Sequence, residues 1–272
     1  ESIIFAASTS AAKPGQLKKL FDDEVGVRVP RDNFYHCLVT AAHQFHNRKP
    51  NDDRYLLAGY PWFKSRARDT FIALPGLTLA IDERDYFELV MKTAEKGLRE
   101  FMEGKPLSVK IYEIEQPDVP LWAVWAIQQY VKDAGKDEGY ERYGKLVADI
   151  VNYIIKGGHP NLRLDENGLV FSEGRDRAVT WMNSTANGPP VVPRSGDIVE
   201  FNALWYNALK FCAAMFVDQG KKKKADALEQ LAAQAKQSFV ETFVNEYGYL
   251  LDYVDGLNME WSVRPNMIFA VA

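Results

Sequence analysis

Apolar residues recur at intervals of three and four along almost the whole chain, and this spacing places them on one face of an α-helix. The pattern predicts a helical protein whose successive helices are joined by short connections, which favours antiparallel pairs. Glycines end several segments, as at Gly157-Gly158 and Gly220. The predicted helices lie near 16–24, 31–46, 67–81, 84–103, 118–134, 138–156, 198–218 and 222–245.

The helical period is lost between 158 and 197. Residues 161–171 read as a β-hairpin because Asn167-Gly168 is a favoured turn pair between two short apolar segments. A long loop follows, and loops of that length without their own structure are often functional. A second strand-like patch runs from Tyr247 to Tyr253.

Composition restricts the possible partners. With 272 residues the chain can bury a large core, as one domain or two, and 47% hydrophobic with 26% charged residues is typical of a globular protein. A net charge of −4 and a pI near 5.7 argue against nucleic acid or an anionic membrane as the main partner. The basic run 221–224 reads as a solvated turn. No apolar run reaches the length of a membrane span, and no signal peptide opens the chain.

Metal and cofactor chemistry is not expected from the motifs. His36, His43 and His46 lie close together in sequence but form no HExxH motif, and the glycine-rich nucleotide motifs and the GxSxG elbow do not occur. Cys37 and Cys212 both lie in helical apolar stretches, so we expect two buried thiols rather than a disulfide.

Three segments combine aromatic and polar residues in a way that suits a sugar, since aromatic faces stack on its C–H surface and polar groups bind its hydroxyls. In the first, Tyr60 and Trp62 precede Arg68 and Asp69, and these four could clamp a terminal sugar ring. Asp69 could equally be a carboxylate that favours a helix N-terminus by its charge.

The second segment has Asp118 directly before a helix that carries Trp122 and Trp125. A helix cap with buried indoles is the structural alternative to a sugar contact. The third segment is a loop followed by a helix start, where Glu200 could again serve only the helix dipole. Its candidate residues are Trp181, Asn183, Arg194, Glu200, Asn202 and Trp205.

Together these segments resemble the C-terminal amylo-α-1,6-glucosidase domain of glycogen debranching enzymes. The family strings AGYPWF, RDTxIALPGL, DAPLWF, TWMD…TPR…VEINALWYNAL and VRPNQ have close counterparts here in the same order, over most of the chain from about residue 30. They stand at Ala58–Phe63, Arg68–Leu77, Asp118–Trp122, Thr180–Leu209 and Val263–Met267.

The resemblance implies an (α/α)6 toroid of twelve helices, with the hairpin and long loop near 158–197 as an insertion. We expect residues 1–272 to be a single toroid domain that is cut at both ends and incomplete after Ala272. An incomplete toroid would expose apolar surface along a seam, so self-association through that seam, or disorder at the ends, is expected. We also expect a cytoplasmic protein.

The activity implied by the resemblance is hydrolysis of the α-1,6-linked glucose at branch points of glycogen or limit dextrin. The family is similar to inverting glycosidases, which need an acid and a base roughly 6.5–9.5 Å apart. By position, Arg68 and Asp69 would hold the terminal glucose, while Trp62 and Trp181 would wall its pocket. The full set of expected substrate contacts is Tyr60, Trp62, Arg68, Asp69, Asp118, Trp122, Trp181, Arg194, Asn202 and Trp205.

Asn183 departs from the family pattern, because it stands where the family has its candidate acid, the Asp of TWMD. An amide cannot donate a proton as a carboxylic acid does. Three explanations are open: Glu200 acts as the acid, the chain is a catalytically silent glucan binder, or this branch of the family always has Asn here and its acid is another residue. The base is expected after Ala272.

Overall fold

The computed structural model describes residues 3, 7, 11, 13–48, 52–60 and 62–271. Contacts between Cα atoms divide the chain into two compact units, residues 1–46 and 47–272. The single toroid domain stays a prediction. Pro61, which belongs to the AGYPWF string, lies outside the described residues.

The described part of the chain is mostly helical with small sheets, as predicted, and its helix boundaries lie within a few residues of the expected ones. Three short 3₁₀ helices accompany the α-helices, at Pro14–Gln16, Leu79–Ile81 and Pro265–Ala270. The α-helices are α1 (Leu17–Gly26), α2 (Phe34–His43), α3 (Ala67–Leu77), α4 (Arg84–Met102), α5 (Val119–Ala134), α6 (Lys136–Ile155), α7 (Val199–Asp218) and α8 (Lys222–Phe243). Among these described residues, no helix is long and apolar enough to cross a membrane.

The first unit contains α1 and α2. Asn33 caps α2 by accepting a hydrogen bond from the backbone N–H of His36 at 2.8 Å. Only Val39, Thr40 and Ala42 of this helix are buried. Cys37 is therefore exposed, and the expectation that its thiol is buried was wrong, whereas Cys212 in α7 is buried as expected.

The core of the second unit lies around α5 and α7. These two helices are buried over most of their surface, whereas α4, α6 and α8 bury one stripe and expose their charged residues. Helix α5 packs against α3, α6 and α7, and α7 packs against α8. The neighbouring pairs α5–α6 and α7–α8 follow from the short connections that the sequence showed.

A five-stranded antiparallel sheet has the order β3-β4-β5-β6-β7. The predicted hairpin is confirmed, with Arg163 opposite Phe171. The predicted strand at 247–253 is present only at Leu250, which forms a single antiparallel bridge with Val244, and at its last residue. Before Leu250 the Asn245 side chain accepts from the N–H groups of Tyr247 and Tyr249 and makes a turn instead. The strands are β1 (His46–Arg48), β2 (Arg54–Leu56), β3 (Arg163–Leu164), β4 (Val170–Ser172), β5 (Gly196–Ile198), β6 (Tyr253–Asp255) and β7 (Asn258–Met259).

Two glycines allow the long loop to approach this sheet and enter α7. A Cβ atom on Gly174 would lie 1.9 Å from the carbonyl oxygen of Arg194. One on Gly196, which has φ of +107°, would lie 2.1 Å from the carbonyl oxygen of Val254. Only glycine fits at such distances. These contacts bring Arg194 and the first turn of α7 beside strand β6.

Candidate functional site

A cavity of about 390 Å³ lies at the N-terminal ends of α5 and α7. Asp118 occupies the N-cap position of α5, and Glu200 is in the first turn of α7. Carboxylates are favoured at both places by the helix dipole. The cavity is lined by Ile72, Asp118, Trp122, Trp181, Glu200, Pro265, Asn266, Ile268 and Phe269.

The Asp118 carboxylate is held by a buried arginine and an indole. Arg68 Nε donates to Oδ2 at 2.6 Å and Arg68 Nη2 to Oδ1 at 2.8 Å, while Trp122 Nε1 donates to Oδ2 at 3.1 Å. Burial lowers the pKa of Arg68, but the attraction of Asp118 outweighs it and the pKa is raised overall. Arg68 Nη2 also donates to the carbonyl of Val179 at 3.3 Å. Arg68 therefore binds Asp118 rather than lining the cavity.

Glu200 is held in the same way by Arg194, which lies between two carboxylates. Arg194 donates through both Nη atoms to Glu200, with Nη2–Oε2 at 2.6 Å, and through Nε and Nη2 to Asp252 at 2.9 and 2.8 Å. Arg264 Nη1 donates to Asp252 Oδ2 at 2.7 Å, so the cluster joins two arginines and two carboxyl groups. Burial raises the pKa of Glu200, and the nearby Asp252 adds to this against the opposing effect of Arg194.

Trp181 is connected to the same cluster through an amide. Trp181 Nε1 donates to Asn266 Oδ1 at 2.7 Å, and Asn266 Nδ2 donates to Asp252 Oδ1 at 2.7 Å. The amide orientation is fixed because an indole N–H only donates and an ionised carboxylate only accepts. Asn266 and Asp252 are fully buried, whereas Trp181 is 48% exposed. The Trp181 indole therefore forms a partly exposed part of the cavity wall, and its Nε1 atom is held by a fully buried amide.

Aromatic rings complete the cavity wall. The ring centroids of Trp122 and Phe269 are 5.3 Å apart at an interplanar angle of 81°. The ring of Trp125 packs against that of Trp122, with the two ring centroids 5.7 Å apart. An edge-to-face arrangement of this kind is a favourable one for aromatic pairs. The cavity thus combines aromatic walls with two carboxylates that already bind arginines, and such hydrogen-bond acceptors suit hydroxyl groups better than a cation.

Sequence reasoning did not nominate Asp252, Asn266 or Phe269. Asn266 lies within the VRPN string, so the resemblance carried a signal for it. The sequence around Asp252 does not identify it as a site residue, because neither of its arginine partners is a close neighbour in the chain. Arg194 lies 58 positions before it and Arg264 lies 12 positions after it.

Two of the expected substrate contacts are part of the core instead. Trp205 is fully buried, and its Nε1 donates to the carbonyl of Gly168 at 3.2 Å. The Asn202 amide accepts from the N–H of Val170 and donates to its carbonyl, at 2.7 and 3.0 Å. Both side chains attach the β-hairpin to α7. Neither is among the residues that line the cavity.

The remaining expected contacts are exposed. Tyr60, Trp62 and Asp69 lie on the surface around the start of α3 and do not line the cavity. Asn183 is exposed in the long loop, where its backbone N–H donates to the carbonyl of Trp181 at 2.9 Å. The structure therefore brings together Asp118, Trp122, Trp181 and Glu200, with Arg194 immediately behind Glu200.

A wider open groove of about 780 Å³ runs between α4 and α6. Four of its charged residues pair with one another, Arg142 with Glu88 at 2.8 Å and Arg99 with Glu95 at 2.7 Å. None of the residues nominated from sequence lies there, and its ion pairs are those of a solvated helical face.

The sequence profile of the family described as amylo-alpha-1,6-glucosidase matches residues 40–272. The chain therefore belongs to the amylo-alpha-1,6-glucosidase family. The comparison with curated proteins gives no match. Among solved structures, the chain is similar to a metal-independent α-mannosidase from Streptococcus pneumoniae in a non-productive complex with α-1,6-mannobiose. The TM-score is 0.48 at 13% identity, over 89% of this chain and 68% of that one.

Proposed function

We propose that this chain is a glycoside hydrolase that releases glucose from α-1,6 branch points of glycogen-type glucans. The observation that carries the proposal is the cavity at the helix N-termini, in a member of the amylo-alpha-1,6-glucosidase family. Its aromatic walls suit the C–H face of a terminal glucose, and its carboxylates can accept hydrogen bonds from the hydroxyls. The partner is a branched α-glucan such as limit dextrin.

Within this proposal the roles of the two carboxylates differ. Glu200 is the acid that protonates the leaving oxygen, supported by the burial that raises its pKa. Asp118 binds a glucose hydroxyl, because Arg68 and Trp122 fix its orientation. Inverting hydrolysis also needs a base that activates water. Trp181 and Trp122 position the sugar ring between these groups.

The proposal extends to the architecture of the second unit. Helices α3, α5 and α7 would form the inner ring of an (α/α)6 toroid, with α4, α6 and α8 outside. The stronger burial of α5 and α7 supports this arrangement.

A catalytically silent glucan binder is the second candidate function. The residue at the family's acid position is Asn183, an amide on an exposed loop. Both cavity carboxylates are also held by arginines, as in a binding site where fixed carboxylates accept hydrogen bonds from sugar hydroxyls. In this alternative the cavity binds the branch glucose without cleaving it.

Glucose release from a branched limit dextrin separates the two candidates. We expect the wild-type chain to release glucose, Glu200→Gln to lose about 10² to 10⁴ in rate, and Asp118→Asn to raise KM more than it lowers kcat. Asp85→Asn is the matched control, an exposed carboxylate in the first turn of α4 that does not line the cavity, and Asp69→Asn tests the sugar contact expected from the resemblance. No release by the wild type, with dextrin binding retained, would establish the silent binder. Loss of activity in Asp69→Asn but not in Glu200→Gln would rule out Glu200 as the acid.

A further inference from the structure

Two exposed aromatic side chains meet in a corner beyond the cavity. Tyr247 is 72% exposed and Trp261 is 42% exposed. Their ring centroids are 6.2 Å apart and their planes meet at 70°. Large apolar surfaces that are exposed next to each other mark interaction sites more often than scattered single residues do. We call Tyr247 and Trp261 the aromatic corner.

The turn that carries Tyr247 is held by its own hydrogen bonds. Asn245 Oδ1 accepts from the N–H groups of Tyr247 and Tyr249 at 2.9 and 3.3 Å, and the N–H of Gly248 donates to the carbonyl of Asn245 at 3.0 Å. The Tyr249 ring lies parallel to that of Tyr247 within 15°, with centroids 6.3 Å apart. A ligand would therefore meet a preformed surface, which reduces the entropy lost on binding.

The aromatic corner is continuous with the support of the cavity. The N–H of Asp252 donates to the carbonyl of Glu260 at 3.0 Å, directly before Trp261. Three residues after Trp261, Arg264 binds Asp252, and Asn266 binds both Asp252 and Trp181. The Trp181 indole and the backbone segment that carries Trp261 are thus both tied to Asp252.

We propose that the aromatic corner is a second binding site for the α-glucan chain, outside the cavity that holds the terminal glucose. A pyranose ring would stack its C–H face on one ring and meet the other at its edge. Glu246 directly precedes Tyr247 and is exposed, so its carboxylate can accept from sugar hydroxyls. Glu260 directly precedes Trp261, but its Oε1 already accepts from the N–H of Ser262 at 2.9 Å and pairs with Arg264. The site rests on the proposed function, because the glucan is its ligand.

Binding of a long and a short ligand tests the site. The ligands are a branched limit dextrin, which can reach both sites, and isomaltose, which fills only the cavity. Trp261→Ala and Tyr247→Ala should each weaken dextrin binding by about threefold to tenfold, as expected for one aromatic contact. Both should leave the isomaltose Kd within about twofold, since the cavity is intact. Trp261→Phe should recover most of the loss, because it retains an aromatic face.

Leu257→Ala is the matched control, since Leu257 is a fully exposed apolar side chain on the adjoining hairpin. Dextrin affinity unchanged in both aromatic variants overturns the site, and so does an equal loss in Leu257→Ala. A change of sedimentation coefficient instead of dextrin affinity would show that the corner is an interface between copies, which also overturns the proposal. Failure of the proposed function can be told apart from failure of the second site. If the proposed function fails, the wild type does not bind isomaltose or does not release glucose.

Discussion

Arg68 and Asp118 form a bidentate ion pair next to the cavity, although they are fifty positions apart in the chain. Arg68 lies in the first turn of helix α3 and Asp118 is the N-cap residue of helix α5, so the pair joins the N-terminal ends of two packed helices. Both side chains are almost completely buried. The orientation of a cavity carboxylate therefore depends on a residue that does not line the cavity.

Removing one partner of this pair is predicted to be costly. In Arg68→Met the Asp118 carboxylate is left buried without its cation, and we expect the free energy of unfolding to fall by about 3–5 kcal/mol. Urea denaturation measures this change. The double variant Arg68→Met with Asp118→Leu should recover part of the loss, because it removes the unpaired charge. If the double variant loses the sum of the unfolding free energies that the two single variants lose, Arg68 and Asp118 are not directly coupled.

Release of the Trp181 indole is predicted for Asn266→Leu, which removes the acceptor at 2.7 Å. One lost hydrogen bond should raise the population of released indole about fivefold, the equivalent of about 1 kcal/mol. Acrylamide quenching of tryptophan fluorescence detects this, with Trp181→Phe used to isolate the Trp181 signal. Asn207→Leu, which loses only a bond to Gln128, is the matched control. Equal quenching in the two leucine variants would show that Asn266 does not hold the indole.

His159 should make the fold less stable in acid. Burial against Phe101 and Tyr153 lowers the pKa of His159 to about 4 from its ordinary 6.5. Between these pH values the unfolded chain binds a proton that the folded chain does not, so this stability is complete above pH 6.5 and is lost as the pH falls to 4. We expect a loss of up to about 3 kcal/mol. Urea denaturation at several pH values should show a shallower dependence in His159→Phe, and an unchanged dependence would contradict the prediction.

Asp197 should act in the opposite direction. Burial raises the pKa of Asp197 to about 7, Asp165 and Asp255 add to the rise, and Arg163 opposes it. The folded chain then retains a proton that the unfolded chain releases, so stability falls as the pH rises from 4 to 7. We expect Asp197→Asn to raise the free energy of unfolding at pH 8 by about 2 kcal/mol, after allowance for partial exposure. At pH 4 the two proteins should unfold alike, and a gain of equal size there would point to hydrogen bonding instead of charge.

The family strings contain most of the residues that line the cavity, but they do not distinguish these residues from others in the same strings that belong to the core. Asp118, Trp122, Trp181 and Glu200, which all stand in those strings, line one cavity. Helical geometry separates Trp205 from Glu200, because five residues correspond to about 140° around the axis. With Glu200 facing the cavity, Trp205 must face the hairpin. The five-residue spacing between Glu200 and Trp205 therefore argued against Trp205 as a cavity residue, although the family resemblance led us to expect it there.

The sequence by itself determined the helices, their short connections and the Asn167-Gly168 hairpin, because periodicity, glycine stops and turn chemistry act over a few neighbouring residues. Only the tertiary structure decided which carboxylate each buried arginine binds. Arg194 and Asp252 are 58 positions apart, and their pairing depends on how the glycine-dependent loop packs against strand β6. Local sequence cannot specify such a pair, since the charge that completes it comes from a distant segment brought near only by folding.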